Sequence, residues 1–392
     1  MDQRIFDELQ HTLDTQGADA AVTRLCERLK EEKDYQGLFY ALLLDKRRRL
    51  GANPVPTGSY HDLPKDQLPG YEDAIREAGR LVGNLYLQDG QLQQAYAYFR
   101  MLGEMGPMRD ALEKYQPEPE QDLQPIVQIA FYEGVHPRKG FDWILSRYGL
   151  CSAITTVGSQ NMDHIPDVRQ YCVQGLVRAL YEELCERLAA DIEHREGKRP
   201  AEADAPPDAP GVVRRMIAGR DDLFAEDCYH VDTSHLSSVV QMSTSLKPCV
   251  ELDIARELCE YGRRLSGRFK SAGDPPFEDL YGAHGIYLAI LAGEDVEKNL
   301  DYFREQAEKA DPETIGTYPA EVLVNLLLRL NRPAEALAVA RKHLLGPHSH
   351  QLTCPSVAEL CQKTNDYCTL AEVAREQGDA VHFMAGLLGA KK

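Results

Sequence analysis

The chain has 392 residues, enough for two or three ordinary domains or for one continuous repeat array. Hydrophobic residues at 43% and charged residues at 27% describe a soluble globular composition, and no window carries the roughly 18 apolar residues of a membrane helix. A formal charge of −18 argues against a general nucleic-acid binder, because phosphate affinity rests on clustered Lys and Arg.

Apolar residues recur at a spacing near 3.6 in nearly every segment, which predicts helix throughout and strands close to absent. The first helices are expected from Gln3 to Leu13, from Asp19 to Glu31 and from Tyr35 to Leu50, the last turning Leu38, Leu42 and Leu43 inward. The N-terminal segment is charged and amphipathic without an apolar signal core, so a cytoplasmic address is expected. Lys46 to Arg49 falls at the end of the third helix, where cations complement the helix dipole. A breaker-rich connection runs from Gly51 to Gly58 and on through Pro64 and Pro69, and long structureless segments of this kind are often functional. The ten cysteines include no Cys-x-x-Cys pair, and most read as reduced, small buried apolar residues in helices.

Counting from a repeat start at Arg76, Val82, Gly83 and Tyr86 take the apolar, small and aromatic positions of one helix. Gly90 falls at the turn, Ala95 and Phe99 on the inner face of the next helix, and Pro107 at the stop. Small residues let two antiparallel helices approach, aromatic residues fill the seam, and proline cannot continue a helix. Gly79 and Leu102 depart from the pattern, which has tryptophan and alanine there. Over residues 76–109 the chain resembles the tetratricopeptide repeat, and more loosely elsewhere. The resemblance implies an all-α fold, a degenerate TPR-like α-solenoid of antiparallel helix pairs, and a surface that presents itself to partners.

Beyond this repeat a helix is expected between Pro117 and Gly134, with Pro125 favouring a late start, and a short one between His136 and Gly149. Ser152 to Val157 reads as the start of another helix, and Asp167 to Arg195 as the longest periodic segment. Glu196 to Pro210 is polar and proline-rich. It is the expected linker between an N-terminal helical-repeat region, 1–195, and a C-terminal one, 211–392. In the latter, helices are expected over Gly211–Ala225, Asp232–Ser245, Pro248–Ser266, Leu280–Ala292, Val296–Ala310 and Tyr318–His343, the last a pair turning at Asn331. Shorter terminal elements follow near Val357, Tyr367 and Asp379.

The densest chemistry lies between Glu226 and His235. His230, Asp232 and His235 place imidazole and carboxylate ligands within six residues, a set suited to Zn or Fe(II). The competing reading makes Asp232 or Ser234 a helix cap and the histidines ordinary hydrogen-bonding groups. His136 and His284 stand beside turn or close-approach residues, and either is a candidate to complete a site with His230. Arg138 is a candidate contact for an acidic ligand, and Trp143 is the chain's single tryptophan. His136, Arg138, Trp143 and His284 therefore form the candidate ligand-binding set. Weaker patterns are His348 and His350 with Cys354, and the pairs Asp191 with His194, Asp227 with His230, Glu8 with His11 and Glu133 with His136. No Walker loop, dinucleotide-binding glycine fingerprint, nucleophile elbow or His-Glu-x-x-His occurs.

Two functions remain open from sequence. The first is a cytoplasmic helical-repeat scaffold that binds a protein or peptide on its concave face, with no nucleic-acid or membrane partner. The second is a metal-dependent enzyme or metal-binding protein centred on His230, Asp232 and His235.

Overall fold

Asp34, Asp232, Asp279, Asp366 and Asp379 each accept backbone N–H groups from the first turn of the helix that follows them. These caps satisfy donors that a helix start otherwise leaves unpaired, and they set where the chain begins to coil. The computed structural model describes residues 4–57, 63–206, 209–225, 227–311, 313–345 and 352–391. Among them the fold is all-α: no strand forms, and Ala272 with Asp279 makes an isolated antiparallel bridge. The chain divides into two units, Met1–Arg147 and Tyr148–Lys392.

The first unit contains α1 (Arg4–Gln16), α2 (Ala18–Glu31), α3 (Tyr35–Arg49), α4 (Leu68–Gln88), α5 (Leu92–Leu102), α6 (Gly106–Lys114), α7 (Gln124–Val127) and α8 (Pro137–Trp143). From α1 to α6 each helix packs on the next in sequence. The expected repeat lies in α4 and α5, where Val82, Ala95 and Phe99 are buried and Gly90 turns with φ of 73°. A Cβ on Gly83 would meet the Phe99 ring at 2.9 Å, so the small residue of α4 seats the aromatic residue of α5. Pro107 does not provide the stop. α5 ends at Leu102 on Gly103, whose φ of 71° suits a left-handed cap, and Pro107 occupies the first turn of α6, where its missing N–H costs nothing.

α7 begins at Gln124 with Pro125 in its first turn and widens into a π-helical turn at Gln128–Tyr132. A Cβ on Gly140 of α8 would lie 2.7 Å from the Phe131 backbone nitrogen, so this glycine allows α8 to close on that turn. Arg47 lies in the last turn of α3, as expected, but differs from the cations beside it. It is fully buried, its Nε donates to the Asn53 carbonyl at 2.6 Å, and its guanidinium lies 5.6 Å from the Tyr71 ring centre.

The second unit contains α9 (Gly149–Ser159), α10 (Pro166–Glu196), α11 (Val212–Ile217), α12 (Thr233–Ser243), α13 (Val250–Arg264), α14 (Leu280–Leu291), α15 (Val296–Lys309), α16 (Tyr318–Arg329), α17 (Pro333–His343), α18 (Val357–Thr364), α19 (Tyr367–Gln377) and α20 (Ala380–Gly389). The long α10 packs against α9, α11, α12 and α13, and from α13 onward each helix packs on its successor. α10 and α13 run parallel, tied by a polar ladder whose carboxylates, Glu251 and Glu257, are buried. Gln174 and Arg178 donate to Glu251 at 2.9 and 2.6 Å, and Tyr181 donates to Glu257 at 2.9 Å. Further along, Asp191 reaches Tyr261 through His230. Glu257 also accepts the backbone N–H groups of Gly211 and Arg214, which fastens the start of α11. Each buried carboxylate thus exchanges water for several donors, the condition under which burial is tolerated.

The division between units falls at residues 147 and 148, whereas the proline-rich segment 196–210 lies inside the second unit, between α10 and α11. Its described part includes a 3-10 turn at Ala201–Asp204, and the Ala209 carbonyl oxygen lies 3.4 Å from the Tyr181 hydroxyl. Gly58, Pro207, Glu226, Pro312 and the His348–His350 pair lie outside the described residues.

Candidate functional site

Helices α9, α10, α12, α14 and α16 of the second unit, with the connection before α14, line an open cavity of about 650 Å³. Asp279 caps α14 through the Gly282 N–H, and the helix then carries His284 and Tyr287 to the cavity wall one turn apart. The His284 ring stacks on Phe277 at 4.1 Å with 26° between planes. Tyr287 stands edge-on to Phe303 at 5.7 Å, and Tyr318 at the start of α16 completes the aromatic lining.

Hydrogen bonding gives this wall a definite polarity. His284 Nδ1 lies 2.7 Å from the Leu280 carbonyl oxygen, which can only accept, so Nδ1 carries the proton and Nε2 the lone pair. Burial, opposed by the Leu280 carbonyl, pushes the His284 pKa down to about 4, and the ring is neutral near pH 7. The same logic orients two amides. Gln241 Nε2 donates to the Ser237 carbonyl and Asn325 Nδ2 to the Thr353 carbonyl, each at 3.2 Å, which leaves both side-chain oxygens as acceptors. Arg169, the cation in the lining, is paired with Asp163 at 3.0 Å. Among the described residues the Asp274 carboxylate, also in the lining, has no ion pair or hydrogen bond.

His230, Asp232 and His235 do not assemble into a common site. Asp232 caps α12, accepting from the Ser234 and His235 N–H groups. His230 is 7% exposed with both ring nitrogens engaged: Nε2 lies 3.1 Å from Asp191 and Nδ1 3.0 Å from the Tyr261 hydroxyl. A carboxylate beside Nε2 places the proton there, so Tyr261 donates to Nδ1 while its oxygen accepts the His230 backbone N–H at 2.9 Å. Burial lowers the His230 pKa, with Asp191 opposing. Burial raises the Asp191 pKa, but hydrogen bonds from Arg195 and His230 outweigh it and hold the carboxyl below its usual range. Sequence had placed Asp191 beside His194 and Asp227 beside His230; the fold joins Asp191 to His230. Among the described residues no group of three or more His, Cys, Asp or Glu is arranged to hold a metal. His230 and His284 line different cavities.

In the first unit, His136 caps α8, accepting the Lys139 N–H at 3.4 Å, while its Nε2 lies 2.6 Å from Glu113. Arg138 is exposed on the first turn of α8. Trp143 is buried edge-on to Tyr115 at 5.8 Å, with the Lys139 ammonium 5.9 Å from its ring centre. The contacts of His136 and Trp143 are those of a helix cap and a packed ring.

Of the ligand-binding candidates, His284 lines the large cavity. Its partners Gln241, Asp274, Phe277, Tyr287, Tyr318 and Asn325 escaped sequence reading because five separate helices and a loop contribute to one wall. The signal that was present is the clustering of aromatic residues around His284 between Phe277 and Tyr287. Comparison of the chain with protein-family models, with curated proteins and with solved structures finds no match.

Proposed function

We propose that this chain is a cytoplasmic helical-repeat binding protein, a degenerate tetratricopeptide-like α-solenoid, whose second unit receives a peptide segment of a protein partner. The observation that carries the reading is the cavity at His284: about 650 Å³, within the range of ligand sites, lined by aromatic rings and by amide and carboxylate side chains. Packing of successive helices and the Gly83 to Phe99 seam support the repeat architecture. No helix among the described residues is long and apolar enough to cross a membrane.

The test is selection of a random dodecamer peptide library on the full chain and on Gln241→Trp, which places an indole at the cavity wall from an exposed position. Peptides that bind the parent and are lost on the variant, with unchanged circular dichroism and melting, support the reading. No binders, or binders indifferent to the variant, would overturn it.

A further inference from the structure

Several of the groups lining the cavity present hydrogen-bond acceptors. His284 Nδ1–H is committed to Leu280, and one amide N–H of Gln241 and of Asn325 to backbone carbonyls. These three residues retain the His284 Nε2 lone pair, two amide oxygens and one amide N–H on each of Gln241 and Asn325, and Asp274 adds a carboxylate. The His284 lone pair is buried, Asn325 is half-buried, and Gln241 and Asp274 are exposed, so an occupant that brings several N–H groups gains hydrogen bonds along this wall.

Charge and aromatic content narrow the choice. The Arg169 cation is compensated by Asp163. Arg329, behind the wall, donates to the carbonyls of Thr244 and Leu246. On the same helix, the buried Glu321 carboxylate accepts from Thr317 and twice from Thr353. Asp274 is then the lining carboxylate without an ion pair among the described residues, in a chain whose net charge is −18. Phe277, Tyr287 and Tyr318 add π-faces, which attract cations, and guanidinium stacks on such faces. Four separate acceptor groups exceed the three donors of an ammonium and suit the five of a guanidinium.

Resting on the peptide-binding reading above, we infer that the cavity recognises an arginine side chain of the partner peptide. Asp274 supplies the counter-charge, and His284, Gln241 and Asn325 supply neutral acceptors. Citrulline keeps the shape of arginine but loses its charge, and lysine keeps the charge but loses the planar fork.

The experiment takes the tightest cavity-dependent dodecamer from the selection and measures its affinity by fluorescence anisotropy in four forms. The selected arginine is retained or replaced by lysine, citrulline or alanine, and each form is measured against the parent and Asp274→Asn. Enrichment of arginine at one position is expected, with citrulline weakening binding at least about tenfold and Asp274→Asn weakening the arginine form by a similar factor while leaving the citrulline form little changed. Cavity-dependent peptides without a required arginine, or equal affinity of the arginine and citrulline forms, would overturn the inference and leave the peptide-binding function standing. A library that yields no cavity-dependent binder removes both.

Discussion

Arg47 is fully buried and donates from Nε to the carbonyl of Asn53, so a residue of α3 holds the chain that leaves that helix. The guanidinium stays charged in the interior because it is hydrogen-bonded and lies against the Tyr71 ring. Arg47→Ala removes both contacts and is expected to cost about 2–4 kcal/mol. Arg47→Lys should recover part of the loss, since an ammonium keeps the charge without the fork. Urea denaturation measures both, and a parent-like Arg47→Ala would show that the guanidinium contributes nothing.

The α4–α5 seam supports a second expectation. Ala95 is wholly buried, and the Gly83 site is already filled by the Phe99 ring. Ala95→Leu should overpack the seam by about 1–3 kcal/mol, and Gly83→Ala should destabilise by displacing Phe99. Both are read as a fall in melting temperature. A variant as stable as the parent would place slack where the structure has contact.

Acid sensitivity is expected from His284. In the unfolded chain its pKa is near 6.5, whereas in the fold burial lowers it to about 4. The unfolded state therefore binds more protons between these values, and stability present above pH 6.5 is lost as pH falls towards 4. The full difference is on the order of 3 kcal/mol for this group. His230, also depressed by burial, acts in the same direction. Urea midpoints measured from pH 7.5 to 4.5 should drop less steeply for His284→Gln than for the parent, relative to each protein's own midpoint at pH 7.5. Parallel curves would contradict the expectation.

Glu257 joins Tyr181 to the start of α11. Glu257→Gln keeps the shape but weakens charge-assisted bonds, so α11 should open more often than the rest of the unit. Trypsin cleavage after Arg214 or Arg215 under native conditions is expected to accelerate by at least about tenfold. An unchanged rate would mean that apolar burial of Val213 and Met216 holds α11 by itself.

These residues also show how much was legible in the sequence. Helix positions were, because burial on one face imposes a 3.6-residue spacing; thus Tyr35 begins α3 and Leu280 begins α14 as expected. The seam between Gly83 and Phe99 was legible as well, since local chemistry requires a small residue opposite a ring. Pro107 was ambiguous because proline both ends one helix and suits the first turn of the next. Arg47 was hidden by its neighbours: Lys46, Arg48 and Arg49 stay partly or fully exposed, and nothing local distinguishes the one cation that turns inward. The pairing of Asp191 with His230 and the wall around His284 depend on which distant helices meet, and charge or hydropathy along the chain carries no record of that.

The parallel α10–α13 ladder has a consequence for synthesis. Glu251, the acceptor for Gln174, is encoded 77 residues after it. At about 5–20 residues per second, α10 would leave the ribosome about 4–15 s before the first rung can form. During that interval the nascent helix displays Leu176, Leu180 and Leu184, which are fully covered in the finished protein. The second unit thus carries a timed exposure written into its topology, and that interval is open to a chaperone that holds apolar helices.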